Sequence, residues 1–381
     1  MWLSPALSIT WIKEETLLVQ RVVMPGQGTE SWTVLGDDDV PAGPAERFLA
    51  YLTAIGRSPN TVKAYAHDLK DFLEFLAVRG LDWREVQLED VGEFVAWLRL
   101  PPLGRAGMVA VLPSAVAQVG AASINRKLAA VSSFYAHQAR NGAGVGDLLA
   151  TWQAGGRGGW KPFLHHVSKG MHRGRAVAVR APKKLPRILT VAETQAILDA
   201  CTWLRDRFFF AMLHETGCRA GEALGLRHED IAAAEREIAI VARENANGAR
   251  AKSGGRVIPA GAELIRLYAD YLHQEYGGID SDYVFVNLFA RPRGQAWSYP
   301  AIYDLVTRLR AKTGIDFDPH WFRHSAATRW LRDGVSAEVV SKLLGHSSVT
   351  TTLAIYGHLT AEDVREALEK AGWFTGREVS W

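Results

Sequence analysis

Hydrophobic residues recur along this chain with two periods, and the architecture changes where the period changes. Two short alternating runs, 17–23 and 31–35, flank P-G-Q-G at 25–28 and close on the acidic turn 37–39. Alternation broken by a glycine-proline turn predicts a β-hairpin. From about residue 41 the spacing becomes helical. A first helix is expected over 45–55. Ser58-Pro59-Asn60 then opens a second over 61–79, in which Val62, Tyr65, Leu69, Phe72, Leu73, Phe75 and Leu76 recur at three- and four-residue steps. That spacing buries one face. A third helix covers 86–98. A fourth, 122–140, buries Ile124, Leu128, Val131, Phe134 and Tyr135 and exposes Asn125, Arg126, Lys127 and Arg140. Four short helices joined by polar loops predict a small all-α domain.

The second half opens at Thr190, with Glu193 three residues on, a capping-box arrangement. Helices are expected over 193–201 and 205–216, the second ended by Gly217, with a further turn or short helix over 219–226. Residues 237–243 alternate as a strand. N-A-N-G at 245–248 and S-G-G at 253–255 then predict a hairpin into 257–259. The remainder reads as helices over 263–275, 301–313, 322–333, 337–344 and 361–371, and no internal repeat is evident. The fold class is mainly α with a small antiparallel sheet. The expected division is a hairpin extension over 1–40, a helical domain over 41–153, a basic linker over 154–186 and a second domain over 187–381.

The length of 381 residues allows two well-filled cores, and 48% hydrophobic with 22% charged residues is ordinary for a soluble globular chain. The longest uncharged run, 106–125, contains Pro113, Gln118 and several glycines and serines, too polar for a membrane span. The amino terminus has no basic segment before its apolar residues, so no signal peptide is read. Cys201 and Cys218 form neither a metal-ligand spacing nor a disulfide framework, which fits a reducing cytoplasm. Net charge is only +3, but its distribution is uneven. Arg157, Lys161, Lys169, Arg173, Arg175, Arg180, Lys183, Lys184 and Arg187 fall between 155 and 187 with no acid among them. Such a block is either a solvated linker or a phosphate-neutralising surface; its place between two folded domains favours contact with DNA.

The candidate chemistry gathers near the carboxyl end, in H-W-F-R-H at 320–324, L-L-G-H-S-S at 343–348 and I-Y-G-H at 355–358. Cleaving a phosphodiester by transesterification needs a nucleophile, charge on the non-bridging oxygens and a proton for the leaving oxygen. Tyr356 is the candidate nucleophile; its free hydroxyl, with a pKa of roughly 10, needs activating neighbours. Arg219 and Arg323 suit the second task, since a guanidinium stays charged and its fork matches two phosphate oxygens. His320 stands three residues before Arg323 on one helical face, and His346 follows Gly345 at a helix end. Lys252, the only lysine between Lys184 and Lys312, is the candidate proton donor beside the S-G-G turn. Glu222 is read as structural support for an arginine or imidazole. Each residue alone has a plain alternative: a core tyrosine, a surface lysine, a helix-terminal histidine.

Together these segments resemble the tyrosine recombinase (phage-integrase-like) family, whose motifs run Arg, Lys, His-x-x-Arg, His or Trp, and Tyr. T-G-C-R-A-G-E-A-L-G-L-R-H-E-D-I at 216–231 is similar to its first arginine box and H-W-F-R-H-S-A-A-T at 320–328 to its second. L-L-G-H-S-S-V-T-T-T-L-A-I-Y-G-H-L at 343–359 is similar to its tyrosine box, the most specific of the three. Residues 56–76 and 122–135 resemble helices of the family's SAM-like core-binding domain. The resemblance spans roughly 41–371, and the amino-terminal hairpin and long basic stretch are similar to transposon-borne integrases of the TnpA type. A lysine hairpin without glycine directly before Lys252 departs from many relatives.

The resemblance implies a core-binding domain followed by a recombinase catalytic domain. Tyr356 would form a 3′-phosphotyrosine link and free a 5′ hydroxyl. Arg219, Arg323, His320 and His346 would stabilise the transition state, with Lys252 as general acid. No cofactor or metal is implied. The implied partners are double-stranded DNA recombination sites, three further copies in a homotetramer on DNA, and possible accessory recombination proteins. The last helix, about 361–371, would dock on a neighbour, and Lys161, Lys169, Arg173, Arg175, Arg180, Lys183 and Lys184 would lie along DNA. The location implied is cytoplasmic, with the nucleoid when bound. Two other readings stay open: a type IB topoisomerase-like relaxing enzyme, and a catalytically silent DNA-binding regulator. A metal-dependent transposase would need clustered carboxylates, and none stand near these motifs.

Overall fold

The computed structural model describes residues 17–23, 30–36, 39–101, 105, 119–142, 150–153, 172–175, 177–181, 186–251, 254–346 and 348–356, with backbone alone at 150–153, 172–175 and 354–356. Two compact units divide the chain, Met1–Lys183 and Lys184–Trp381. Its helices are numerous and its sheets small, in agreement with the fold class read from the pattern.

In the first unit β1 (Leu18–Val23) pairs antiparallel with β2 (Glu30–Leu35), Leu18 opposite Leu35. This hairpin lies against α1 (Gly43–Ala54) and α2 (Pro59–Arg79), which α3 (Leu88–Arg99) and α4 (Ala121–Arg140) complete into a bundle. Ser58 starts α2 by accepting the Thr61 amide at 3.2 Å, and Pro59 fills the first helical position, where no amide is required. The buried faces meet as aromatic edges: Phe72 on Phe94 at 5.2 Å and Phe48 on Phe134 at 5.9 Å between ring centroids. Burying each such ring contributes about 1.5–3 kcal/mol.

One expectation for α4 needs correction. Lys127 is not exposed; its ammonium is buried between Asp68 at 3.1 Å and Asp71 at 2.6 Å, while Arg126 takes the other Asp68 oxygen at 2.5 Å. The carboxylates stand three residues apart on the face of α2 that meets α4, and a periodicity that counts lysine as polar cannot register a partner on another helix. Asn125 is likewise only half exposed. Its side-chain amide donates to the Val179 carbonyl at 2.7 Å and its oxygen accepts the Val179 amide at 2.9 Å. Within the stretch expected as a basic linker, Val179 is therefore tied to the first unit. β3 (Ala150–Gln153) and β4 (His172–Arg175) pair antiparallel with Gln153 opposite His172, and Val177 and Val179 pack on the helical core.

The second unit begins with α5 (Val191–Ala200), where the expected capping box forms. The Thr190 hydroxyl accepts the Glu193 amide at 3.1 Å and Glu193 accepts the Thr190 amide at 2.8 Å. α6 (Leu204–Thr216) runs through the core, with Phe208, Phe209, Phe210, Met212 and Leu213 of its apolar central segment all buried. α7 (Ala220–Leu224) follows, then a three-stranded antiparallel sheet of β5 (Ile231–Ala232), β6 (Glu237–Ile240) and β7 (Arg256–Pro259), with β6 central. α8 (Ala262–Tyr271) passes into a π turn over Leu272–Tyr276, and α9 (Tyr299–Thr313), α10 (Pro319–Arg332), α11 (Ala337–Leu344) and α12 (Val349–Tyr356) complete the unit.

Three elements differ from the pattern. The strand expected over 237–243 ends at Ile240, because Arg243 turns to grip Asp230 at 2.5 and 2.8 Å. α10 starts three residues earlier than expected, since Asp318 caps it through the His320 amide at 2.8 Å and Pro319 occupies its first position. α12 has no counterpart among the expected helices: V-T-T-T-L-A-I-Y is rich in β-branched residues, and packing around the fully buried Thr352 overrides that propensity. The helix expected over 361–371 lies outside the described residues.

Candidate active site

Gly217 sets the geometry of the first arginine box. It ends α6 at a φ of 60°, and a β-carbon there would stand 3.1 Å from Leu344, 3.2 Å from Trp330 and 3.4 Å from Ala326. Only glycine fits both the left-handed backbone and the space. The chain then passes buried Cys218 and places Arg219 directly before α7. Glu222, one turn on, accepts the Arg219 amide at 2.8 Å and its guanidinium at 2.7 Å.

The Glu222 carboxylate is fully buried and has a second cationic partner. Arg256, at the start of β7, donates to it through both terminal nitrogens at 3.2 and 2.7 Å. Burial alone would raise this carboxyl; the hydrogen bond and charge of Arg256, followed by the Arg219 amide and charge, overcome it and hold the group at about 2. Glu222 therefore stays ionised between two arginines.

Arg323 is 1% exposed and spans two motif boxes. It donates to the Gly217 carbonyl at 2.9 Å and to the Leu344 carbonyl at 2.7 Å. Beyond Leu344 the chain turns through Gly345, at a φ of 64°, to His346. The His346 Nδ1 lies 2.8 Å from the buried Thr352 hydroxyl. Burial, then the charges of Arg323, Arg219, Arg256 and His320, holds this imidazole down at about 4. It is neutral at physiological pH, and when Thr352 donates to Nδ1 the ring hydrogen sits on Nε2. His320, exposed in the first turn of α10, meets the edge of His324 at 4.5 Å between centroids. His324 is also held at about 4, by burial first and then by His320 and Arg323.

Arg219, Glu222, Arg323 and His346 are thus brought together from three separate stretches of chain, with His320 beside them. Tyr356 is the last described residue of α12, the helix that carries Thr352, and its side chain lies outside the described atoms. Lys252 also lies outside the described residues, between β6 and β7 in the sequence; these strands pair up to Ile240 opposite Arg256. Of the basic residues expected along DNA, Arg180 is exposed and Arg173 and Arg175 lie on β4, described by backbone only; Lys161, Lys169, Lys183 and Lys184 fall outside the described residues. Arg256, His324 and Thr352 also belong to this cluster; His324 and Thr352 stand inside the second arginine box and the tyrosine box, and Arg256 directly follows the S-G-G turn. Among the described residues no group of three or more His, Cys, Asp or Glu side chains is placed to hold a metal, and no helix is long and apolar enough to cross a membrane.

A helical unit is followed by one in which two arginines and a histidine converge, and comparison with known proteins identifies the family to which this arrangement belongs. Residues 181–363 match the Phage integrase family and residues 45–142 the phage integrase N-terminal SAM-like domain. The chain is 36% identical over 355 residues to Transposase A from transposon Tn554 of Staphylococcus aureus, covering 92% of this chain and 97% of that protein. It is 28% identical to Tyrosine recombinase XerD of Bifidobacterium longum, covering 84% and 94%. Among solved structures, the Tn1549 transposon integrase in complex with a circular intermediate DNA matches with a TM-score of 0.59 at 16% identity, over 86% of this chain and 99% of that one. The chain belongs to the phage integrase, or tyrosine recombinase, family of DNA cleaving and rejoining enzymes. The resemblance read from the motif boxes is borne out at the level of the family.

Proposed function

We propose that this protein is a site-specific DNA strand-transferase that integrates or transposes a mobile element through a covalent phosphotyrosine intermediate. The convergence of Arg219, Arg323 and His346 beside the helix ending at Tyr356 is the observation that carries this reading. The Tyr356 oxygen attacks phosphorus, the bond to the 5′ oxygen breaks, and a 3′-phosphotyrosine forms. Lys252 supplies the proton to the leaving 5′ oxygen, and the phenol proton passes to a neighbouring base or water. In the second half a 5′ hydroxyl from another strand attacks, and tyrosine leaves. One phosphodiester is exchanged for another, so the cycle needs no external energy source.

Charge develops on the non-bridging oxygens at the transition state, where preorganised donors act most strongly. Arg219 supplies charge held in place by Glu222. His320 and the neutral His346 supply ring N–H donors. Arg323 contributes its charge while tying Gly217 and Leu344 together. The partners are duplex recombination sites, bound by a tetramer of this chain, with accessory recombination proteins where the element requires them. The closeness to the Tn554 transposase favours a transposon as that element.

A nicked suicide duplex made from the DNA flanking the protein's own gene tests this reading. The expected product is a covalent protein–DNA adduct that forms in chelator and is absent from Tyr356→Phe. Relaxation of any plasmid regardless of sequence, or an adduct that survives in Tyr356→Phe, refutes it.

A further inference from the structure

Arg256 lies outside the motif boxes, yet all three of its guanidinium nitrogens are engaged by protein acceptors. Its side chain is 6% exposed. The two terminal nitrogens form a fork on Glu222 at 3.2 and 2.7 Å, the geometry in which an arginine–carboxylate pair is most directional. Its Nε donates to the Leu343 carbonyl at 2.6 Å, directly beside the Leu344 carbonyl that Arg323 takes at 2.7 Å.

Two guanidinium groups therefore hold adjacent carbonyls in the last turn of α11, at the negative end of the helix dipole. The chain leaves this turn in a tight left-handed motif. Gly345 donates its amide to the Lys342 carbonyl at 3.1 Å and His346 to the Ser341 carbonyl at 2.9 Å. The position of the His346 backbone follows from that turn. On its other side, Arg256 grips the carboxylate that fixes both the amide and the guanidinium of Arg219. One side chain thus joins three stretches that lie 34 and 87 residues apart along the sequence.

We propose that Arg256 is a positioning residue for strand transfer, setting where the Arg219 guanidinium and the His346 imidazole stand by holding Glu222 and the last turn of α11. This rests on the roles proposed above for Arg219 and His346, and it requires no contact between Arg256 and DNA. A displacement of about 1 Å in a catalytic group costs on the order of 10²-fold in rate. Lysine keeps the charge but lacks the planar fork, so it can satisfy one direction and not both.

The test measures adduct formation in a single turnover on the suicide duplex at saturating protein, alongside DNA affinity by gel shift and thermal melting. For Arg256→Gln the expected result is a cleavage rate lower by on the order of 10²-fold per folded molecule, with DNA affinity unchanged. Arg256→Lys is expected to fall between that variant and the wild type. If Arg256→Gln does not fold, Arg256→Lys carries the test alone, and a reduced rate with unchanged melting supports the proposal. A wild-type rate per folded molecule in either variant overturns it. A wild-type protein that forms no adduct defeats the strand-transfer reading itself; a wild-type adduct with unimpaired Arg256 variants defeats only the positioning role.

Discussion

Replacing Glu222 with glutamine removes one charge from the buried cluster and leaves its shape intact. The wild-type carboxylate accepts from two guanidinium groups and a backbone amide, and its side chain has no exposed surface, so solvent screening does not weaken these interactions. Glutamine retains one acceptor oxygen but points a donor amide at an arginine. It also leaves the buried Arg256 cation without a counter-charge, a loss of roughly 3–5 kcal/mol in comparable buried pairs. A second route gives a similar figure. The carboxyl is held at about 2 against an ordinary 4.5, which corresponds to about 3 kcal/mol of stability at neutral pH.

The sign of the pH dependence follows from that depression. A carboxyl depressed on folding contributes fully above its unfolded value near 4.5 and loses its contribution as pH falls through the folded value near 2. The gap in stability between wild type and Glu222→Gln should therefore be about 3 kcal/mol at pH 7 and shrink to about 2 kcal/mol at pH 3.5. Denaturant-dependent hydrogen exchange of peptides spanning 217–226 and 256–260 reads this stability locally, which matters in a chain of two units that need not unfold together. A gap below about 1 kcal/mol at pH 7, or one that does not change with pH, would refute the argument that the carboxylate is ionised and doubly paired.

Two further outcomes follow from the same site. A β-carbon at Gly221 would lie 1.9 Å from the Tyr299 hydroxyl oxygen and 3.1 Å from its ring carbon, so Gly221→Ala should cost about 1–3 kcal/mol in chemical denaturation. Adding Tyr299→Phe removes the nearer atom and should recover part of that loss; no recovery would contradict the packing described. The His346 ring, held at about 4 by burial and then by the charges of Arg323, Arg219, Arg256 and His320, should titrate near that value by NMR and stay neutral from pH 8 to 6. Because the unfolded chain then takes up the proton first, this residue lowers stability as pH falls from 6.5 toward 4; a midpoint near 6.5 would contradict both the burial of the ring and the arginines described around it.

Periodic segments were the most legible part of the fold. The helices over 59–79, 121–140 and 337–344 repeat apolar residues at three- and four-residue steps, and each carries a recognisable start or stop: Ser58 with Pro59, Arg140 before the polar turn at Asn141, Gly345 after Leu344. α12 was not legible, because three threonines in succession favour a strand and only the buried pocket around Thr352 makes them helical. The two-residue β5 is too short to carry a period at all.

The site divides along the same line. Arg219, His320, Arg323 and His346 stand in local motifs with fixed neighbours, so a sequence can nominate them. What a sequence does not contain is how each cation is held. Arg323 is read from the motif as a phosphate clamp, and the fold in addition buries it against two backbone carbonyls that belong to other boxes. Arg256 looks like one more alternating strand residue, since its partners, Glu222 and Leu343, lie far away in sequence and both are polar atoms that no hydrophobic pattern counts. Buried ion pairs of this kind are costly to form from water and are stable only when every lone pair is matched. A chain that keeps three arginines and one carboxylate in so small a volume gives up stability that an apolar core would supply, and under the proposed function the return is a set of cations already in place before DNA arrives.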